Sequence, residues 1–259
     1  MSPEILDSLG VCPLGGVSFS KIAVKDVSKQ AWKLFAIGVS KSINVWTLSL
    51  STTGAIDLED DYKPLEKHTD YVLDIMVVNN DLYKLLISGG MDKKVRLWDL
   101  TTLTYKTCRS GHTAGVNCLG FDGRSVIVAG GFDYSILGWD LDAEIDKPLF
   151  HLVGHTSPVI RVVGLGFLDR CLSLDVSGEI RYWDINKANS IDKEERQIDC
   201  FQLTEDHLRA FDVFQGAQTR YKGVVLCCYG RRQHVYAVKD VIPVESAPIN
   251  VLFIKDLLM

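Results

Sequence analysis

Two short signatures recur along the chain at almost constant spacing, and few folds tolerate such a period. Gly111-His112-Thr113 returns 43 residues later as Gly154-His155-Thr156, and a degenerate Lys67-His68-Thr69 comes 44 residues before the first. Each is followed by an alternating apolar run, a small-residue segment, and an apolar strand closed by Trp-Asp: Val95 to Leu100, Ile136 to Leu141 and Ile180 to Ile185. Their tryptophans, Trp98, Trp139 and Trp183, stand 41 and 44 residues apart. A further copy keeps only the ending, Ile43-Asn44-Val45-Trp46-Thr47-Leu48, and another puts tyrosine there, His234-Val235-Tyr236-Ala237-Val238. Self-similarity at a period in the forties marks stacked supersecondary units, each burying its apolar face against the next.

The units read as short strands with period-2 alternation separated by turn residues, and helical periodicity is almost lacking. An all-β sandwich would share that pattern, but it has no need of Gly-His and Trp-Asp at fixed offsets. From about Val17 onward the chain resembles the WD40 repeat family, whose repeats are the four-stranded blades of a β-propeller. The resemblance implies an all-β propeller of four-stranded antiparallel blades over residues 17–65, 66–108, 109–152, 153–203 and 204–244, with an incomplete sixth at 245–259. Ile249 to Ile254 reads as the first strand of that sixth blade. The array then stops at Met259 in mid-blade, which suggests a piece of a longer protein or closure through N-terminal strands such as Met1 to Gly16.

In that family a His before the first strand, a Ser or Thr in the second, an Asp in the next turn and the Trp of the third form a buried hydrogen-bonded tetrad. The resemblance places all four in one repeat only, as His68, Ser88, Asp92 and Trp98. The next repeat offers His112, Asp133 and Trp139, with Ala129 at the serine position. The one after has His155, Ser173 and Trp183, with Ser177 where the turn aspartate belongs and Asp175 displaced by two. Buried imidazole and indole N–H groups need partners, so incomplete sets imply blades of unequal stability.

A His-Ser-Asp set is also what nucleophilic catalysis uses, but recurrence at equivalent positions argues for a structural role. The sequence holds no Gly-x-Ser-x-Gly, Gly-x-x-x-x-Gly-Lys or His-Glu-x-x-His. Gly164-Leu165-Gly166 lacks the third glycine of a dinucleotide loop. Asp140, Asp142, Glu144 and Asp146 begin like a calcium loop, but Ile145 and His151 stand where glycine and the bidentate glutamate are required. We therefore expect no catalytic residue, metal or cofactor. The seven cysteines are odd in number and lack Cys-x-x-Cys spacing, which suits reduced core thiols. With 28 Lys and Arg against 33 Asp and Glu, the net charge is −5, no footprint for nucleic acid. No apolar run nears the roughly 20 residues of a membrane span, so a cytoplasmic protein without membrane insertion is expected.

Alternation of antiparallel strands a to d puts the d-to-a and b-to-c loops on one face, here called the top. Its turns carry Lys41, Lys93, Lys94, Arg231 and Arg232. The bottom carries Asp57, Glu59, Asp60, Asp61, Asp142, Glu144, Asp146, Asp192, Glu194 and Glu195, so the molecule reads as basic above and acidic below, unless these are merely solvated turn charges. Insertions at Leu50 to Asp61, Lys187 to Gln197 and Phe214 to Lys222 also fall on the bottom, either tolerated or forming a second surface. The resemblance implies peptide docking at the top of the channel, at Tyr71, Gly115 and Pro158 and at Met91, Phe132 and Val176. Either these residues pack the channel or they bind. The binding reading has Tyr71, Met91 and Phe132, ringed by Lys93 and Arg231, holding an acidic or phosphorylated segment. The functional expectation is a scaffold for other proteins or peptides, with a reader of modified peptides and a ciliary or cytoskeletal component as alternatives. The oligomeric state stays open.

Overall fold

A computed structural model describes residues 19–28, 31–54, 56–58, 63–144, 146–165, 169–185, 197–202, 210–215, 224–229, 233–239 and 250–253. Side chains are described within 31–185, together with that of Ala23. Every regular element among the described residues is a strand, and no helix is long and apolar enough to cross a membrane.

The strands form five antiparallel sheets, each built from consecutive segments of chain. Blade 1 contains β1 (Phe19–Ser28), β2 (Ala31–Gly38), β3 (Ser42–Leu50), β4 (Ile56–Leu58) and β5 (Lys63–Glu66), with β4 and β5 pairing the two halves of β3. Blade 2 contains β6 (Val72–Asn79), β7 (Lys84–Gly90), β8 (Val95–Asp99) and β9 (Tyr105–Arg109). Blade 3 contains β10 (Val116–Phe121), β11 (Val126–Gly131), β12 (Ile136–Asp140) and β13 (Phe150–Leu152). Blade 4 contains β14 (Val159–Leu165), β15 (Arg170–Asp175), β16 (Glu179–Asp184) and β17 (Gln197–Gln202). Blade 5 contains β18 (Ala210–Gln215), β19 (Val224–Tyr229), β20 (Gln233–Lys239) and β21 (Asn250–Phe253). This is the blade architecture expected of the repeats, with one correction. The segment expected to open a sixth blade is β21, which pairs antiparallel with β20 from Tyr236↔Phe253 to Lys239↔Asn250 and completes blade 5. An isolated apolar alternation reads the same for the first strand of a sheet as for the last, and only the pairing decides.

First strands pack on first strands: β1 on β6, β6 on β10, β10 on β14 and β14 on β18. The register of β6, β10 and β14 slips at the same place, between Val72 and Asp74, Val116 and Cys118, and Val159 and Arg161. Such bulges twist a strand and re-aim side chains. Past its bulge, Asp74 is buried and accepts the Leu119 N–H of the next blade at 2.7 Å. Asn117 likewise donates from Nδ2 to the Val159 carbonyl at 2.9 Å.

The core lies between blades. Leu85, Ile87, Val95 and Leu97 of blade 2 pack with Val116, Leu119, Ile127 and Trp139 of blade 3. Cys118, Val126 and Ile136 of blade 3 pack with Val159, Val162, Cys171 and Trp183 of blade 4. Alternation along each strand therefore buries both faces of a blade. Cys118 and Cys171 are buried thiols outside any disulfide, Cys108 is a half-buried one, and burial pushes the Cys171 thiol far up, so it is inert near neutrality.

One member of the acidic run of blade 3, Asp146, departs from its expected place. The Tyr83 hydroxyl donates to Asp142 on the bottom, Arg109 Nη2 donates to the Ala143 carbonyl at 3.0 Å, and Ser110 N–H donates to Asp146 at 2.7 Å. Ser110 lies in a top loop, so Asp146 is not a bottom-face charge. Asp142 and Asp146, spent on separate partners, do not converge as a calcium loop would.

Candidate functional site

In blade 2, His68 precedes β6, Ser88 sits in β7, Asp92 in the following turn and Trp98 in β8. His68 Nδ1 lies 2.9 Å from Asp92 Oδ1, and its Nε2 lies 2.8 Å from Ser88 Oγ. A carboxylate at that distance calls for a proton on Nδ1, so the serine O–H donates to Nε2. Trp98 Nε1–H donates to the same hydroxyl at 2.9 Å. Thr69 N–H adds a bond to Asp92 Oδ2 at 3.1 Å, and Arg96 Nη1 sits 2.6 Å from that oxygen. Burial raises the Asp92 carboxyl, but the bond and charge of His68, the Thr69 N–H and Arg96 outweigh it and hold the group at about 2. Because folding depresses this group, its stabilisation is complete above the unfolded value near 4 and is lost as pH falls toward 2. We expect about 2 kcal/mol of stability to disappear across that window. Urea unfolding at pH 4 and pH 2 checks this, and an Asp92→Asn variant should show a shallower acid dependence.

Blade 4 builds its network differently from expectation. Ser177 occupies the turn position, but the carboxylate that meets His155 Nδ1, at 3.0 Å, comes from Asp175 at the end of β15. The displacement by two residues is therefore no loss. The glycines show why. A Cβ at Gly90 would stand 2.7 Å from His68 Nδ1, and one at Gly131 would stand 2.7 Å from His112 Nδ1. Asp175 holds that same position in blade 4, directly beside the imidazole, so its side chain needs no turn to carry it there. Ser177 then donates its N–H and O–H to Asp175 Oδ1, at 2.9 and 2.6 Å. His155 Nε2 lies 2.6 Å from Ser173 Oγ, which also accepts Trp183 Nε1–H at 2.7 Å. Burial lowers the His155 pKa despite the pull of Asp175, so the ring is neutral at pH 7.

In blade 3, His112 Nδ1 stands 3.0 Å from Asp133 Oδ1, and Asp133 also accepts Thr113 N–H at 2.7 Å and Ser135 O–H at 2.8 Å. Ala129 supplies no hydroxyl, and both His112 Nε2 and Trp139 Nε1 are buried without a partner among the described residues. The His112 and Trp139 rings nonetheless keep a centroid separation of 6.0 Å, equal to that of His155 and Trp183. A hydroxyl therefore fits between them. We expect Ala129→Ser to raise stability by about 1 kcal/mol or more, read as a higher urea midpoint.

These networks have Ser-His-Asp connectivity, yet Ser88 and Ser173 are fully buried and each already accepts an indole N–H. No substrate reaches either hydroxyl, and the sets hold the turns in place instead. The family model described as WD domain, G-beta repeat matches residues 61–99 and 103–140. Over those residues the chain carries WD40 repeats. Similar proteins include Cilia- and flagella-associated protein 337 B of Tetrahymena thermophila, 27% identical over 59% of this WD40 chain and 12% of that protein. Small ribosomal subunit protein RACK1 of Caenorhabditis elegans is 30% identical over 51% of this chain and 39% of its own. The CCR4-associated factor 4 homolog of Candida glabrata is 28% identical over 50% and 23%. The matched region thus spans well under half of each relative.

The top face of this WD40 chain collects apolar side chains. Of nine exposed large hydrophobic residues among the described ones, seven lie on b-to-c turns or d-to-a loops: Val39, Tyr71, Met91, Phe132, Tyr134, Val153 and Val176. Leu82 on the bottom and Tyr105 on a fourth strand are the others. Met91 N–H donates to the Tyr71 carbonyl at 2.8 Å, Phe132 N–H to Gly115 at 2.9 Å and Val176 N–H to Pro158 at 2.9 Å, so these positions are paired across the rim of each blade. Met91 and Phe132 meet over Gly115, where a Cβ would stand 2.6 Å from Met91 Sδ and 3.3 Å from Phe132 Cδ2. Lys93 is exposed in the next turn residue, while Arg231 and Arg232 lie outside the described residues. Sequence reasoning missed Val39 and Tyr134, although both occupy b-to-c turns, and it missed the buried carboxylate of Asp74.

Proposed function

We propose that this protein is a non-catalytic interaction scaffold whose top face holds an acidic or phosphorylated segment of a protein partner. The collection of exposed apolar side chains on that one face carries the reading, since residues scattered evenly need no explanation and seven of the nine described ones on one face do. Met91 and Phe132 supply anchors over Gly115 and Tyr71 stands on the same rim, while Lys93, with Arg231 assigned to it by sequence, supplies charge for an anionic group. The relatives support binding of proteins in general. The ciliary relative favours a second, finer reading as a component of a ciliary or cytoskeletal assembly in the cytoplasm. The test is a Tyr71→Ala, Met91→Ala, Phe132→Ala variant on an array of acidic, phosphorylated and plain peptides. Bound signal should fall at least tenfold while the melting temperature holds. Undiminished binding by a folded triple variant would sink the proposal.

A further inference from the structure

The b-to-c turns differ in one residue that local conformation ought to fix. In blade 4 the residue two places before β16 begins its pairing is Gly178, at φ 87°. The equivalent residues of blades 2 and 3 are Lys93 at φ 66° and Tyr134 at φ 64°. This is the left-handed region, where any Cβ crowds the backbone and glycine is the unstrained choice. Two other non-glycine residues among the described ones share such a φ, and the fold compensates both. Leu103 packs against the core between blades 1 and 2, and Asp169 pairs with Arg124 at 2.8 Å. Neither Lys93 nor Tyr134 gains anything comparable: both side chains are exposed and have no polar, ionic or ring partner among the described residues. An uncompensated strained residue points to work done outside the fold.

The two residues sit on neighbouring turns, joined by Met91 and Phe132 where they meet over Gly115. A cation, two apolar side chains and a phenol ring thus stand on two neighbouring turns of blades 2 and 3. We infer that Lys93 and Tyr134 are partner-contact residues that bind a linear segment presenting a carboxylate close to an aromatic or long aliphatic side chain. The inference rests on reading the top face as the partner surface. Charge complementarity selects the carboxylate, because Asp92 beside Lys93 is taken up by His68 and Arg96 and Lys93 makes no ion pair among the described residues, and the Phe132 and Tyr134 rings select the apolar neighbour.

The probe is a phage-displayed library of random dodecapeptides selected on the immobilised protein. The leading peptide is then synthesised with a fluorophore and titrated by anisotropy against the parent, Lys93→Gly, Tyr134→Gly and a Met91→Ala, Phe132→Ala variant. Selected sequences should carry Asp or Glu within about three residues of Phe, Trp or Leu. Each glycine variant should bind at least tenfold more weakly while its melting temperature stays equal or rises, since glycine is what blade 4 uses there. Opposite movement of affinity and stability is the signature that a structural role would not give. A melting temperature lowered by several degrees, affinity within twofold of the parent, or a consensus without acidic residues each overturns the inference. If only the Met91, Phe132 variant loses binding, the top-face reading stands and this inference falls. If no variant changes affinity, both fall.

Discussion

Alanine at Gly164 is expected to cost about 3 kcal/mol, the largest loss from a single added methyl group among the described glycines. Gly164 lies in β14 against the end of β10, and a Cβ there would stand 2.6 Å from Asp122 Cα and 2.7 Å from both Asp122 N and Phe121 O. All three atoms are backbone, so no rotamer change relieves the clash. The obstructing turn is also held fast: the Asp122 carboxylate accepts the Arg124 and Val126 N–H groups, each at 2.9 Å. Blades 3 and 4 must separate, which opens the packed contact between them. Gly123 is the internal control, since its φ of 84° makes alanine strained but nothing lies within 4 Å of its Cβ position. Alanine there should cost about 1 kcal/mol. Urea unfolding of the two variants separates steric overlap from backbone strain, and equal losses would refute the clash.

The second large effect is expected at Asp133. Its carboxylate serves His112 Nδ1–H, the Thr113 N–H, and the N–H and hydroxyl of Ser135. Asp133→Ala strands all of these donors at once, two of them on side chains. In blade 3 the loss falls on an imidazole whose Nε2 is already unpartnered, so His112 would be buried with neither nitrogen bonded. We expect about 3 kcal/mol, from leaving several buried polar groups unmet. Asp133→Asn keeps one acceptor oxygen and should cost roughly half as much. Adding Ala129→Ser to the alanine variant should recover part of the loss, because the two sites share one imidazole. A loss under about 1 kcal/mol for the alanine variant would show that this network contributes little to blade 3.

How far the sequence could be read depended on whether a feature recurs. Trp98, Trp139 and Trp183 end their strands at one repeat position, and the four-stranded sheets follow from that period. Asp175 escaped because a pattern aligns positions along the chain. What matters is where a Cβ points, and the glycines of blades 2 and 3 reveal that only once their distance to the imidazole is known. The last strand was assigned to a sixth blade because its apolar alternation carries no statement of which neighbour it pairs. Asp146 was placed with the bottom charges because loop length does not say that a loop climbs the side of a sheet. Tyr134 passed unnoticed for a related reason, since a turn's dihedral angles leave no mark on hydropathy.

Every blade is assembled from consecutive strands, and its first strand packs on the blade just before it, β6 on β1 and β2, β10 on β6 and β7, and β14 on β10 and β11. Such an arrangement keeps pairing distances short for an all-β chain, which lowers the entropy of closing each sheet. As the polypeptide leaves the ribosome, β6 to β9 have all their partners before β10 is made. Asp74 can then offer its carboxylate to Leu119 as that residue emerges, so each completed blade becomes the template on which the next one docks during synthesis.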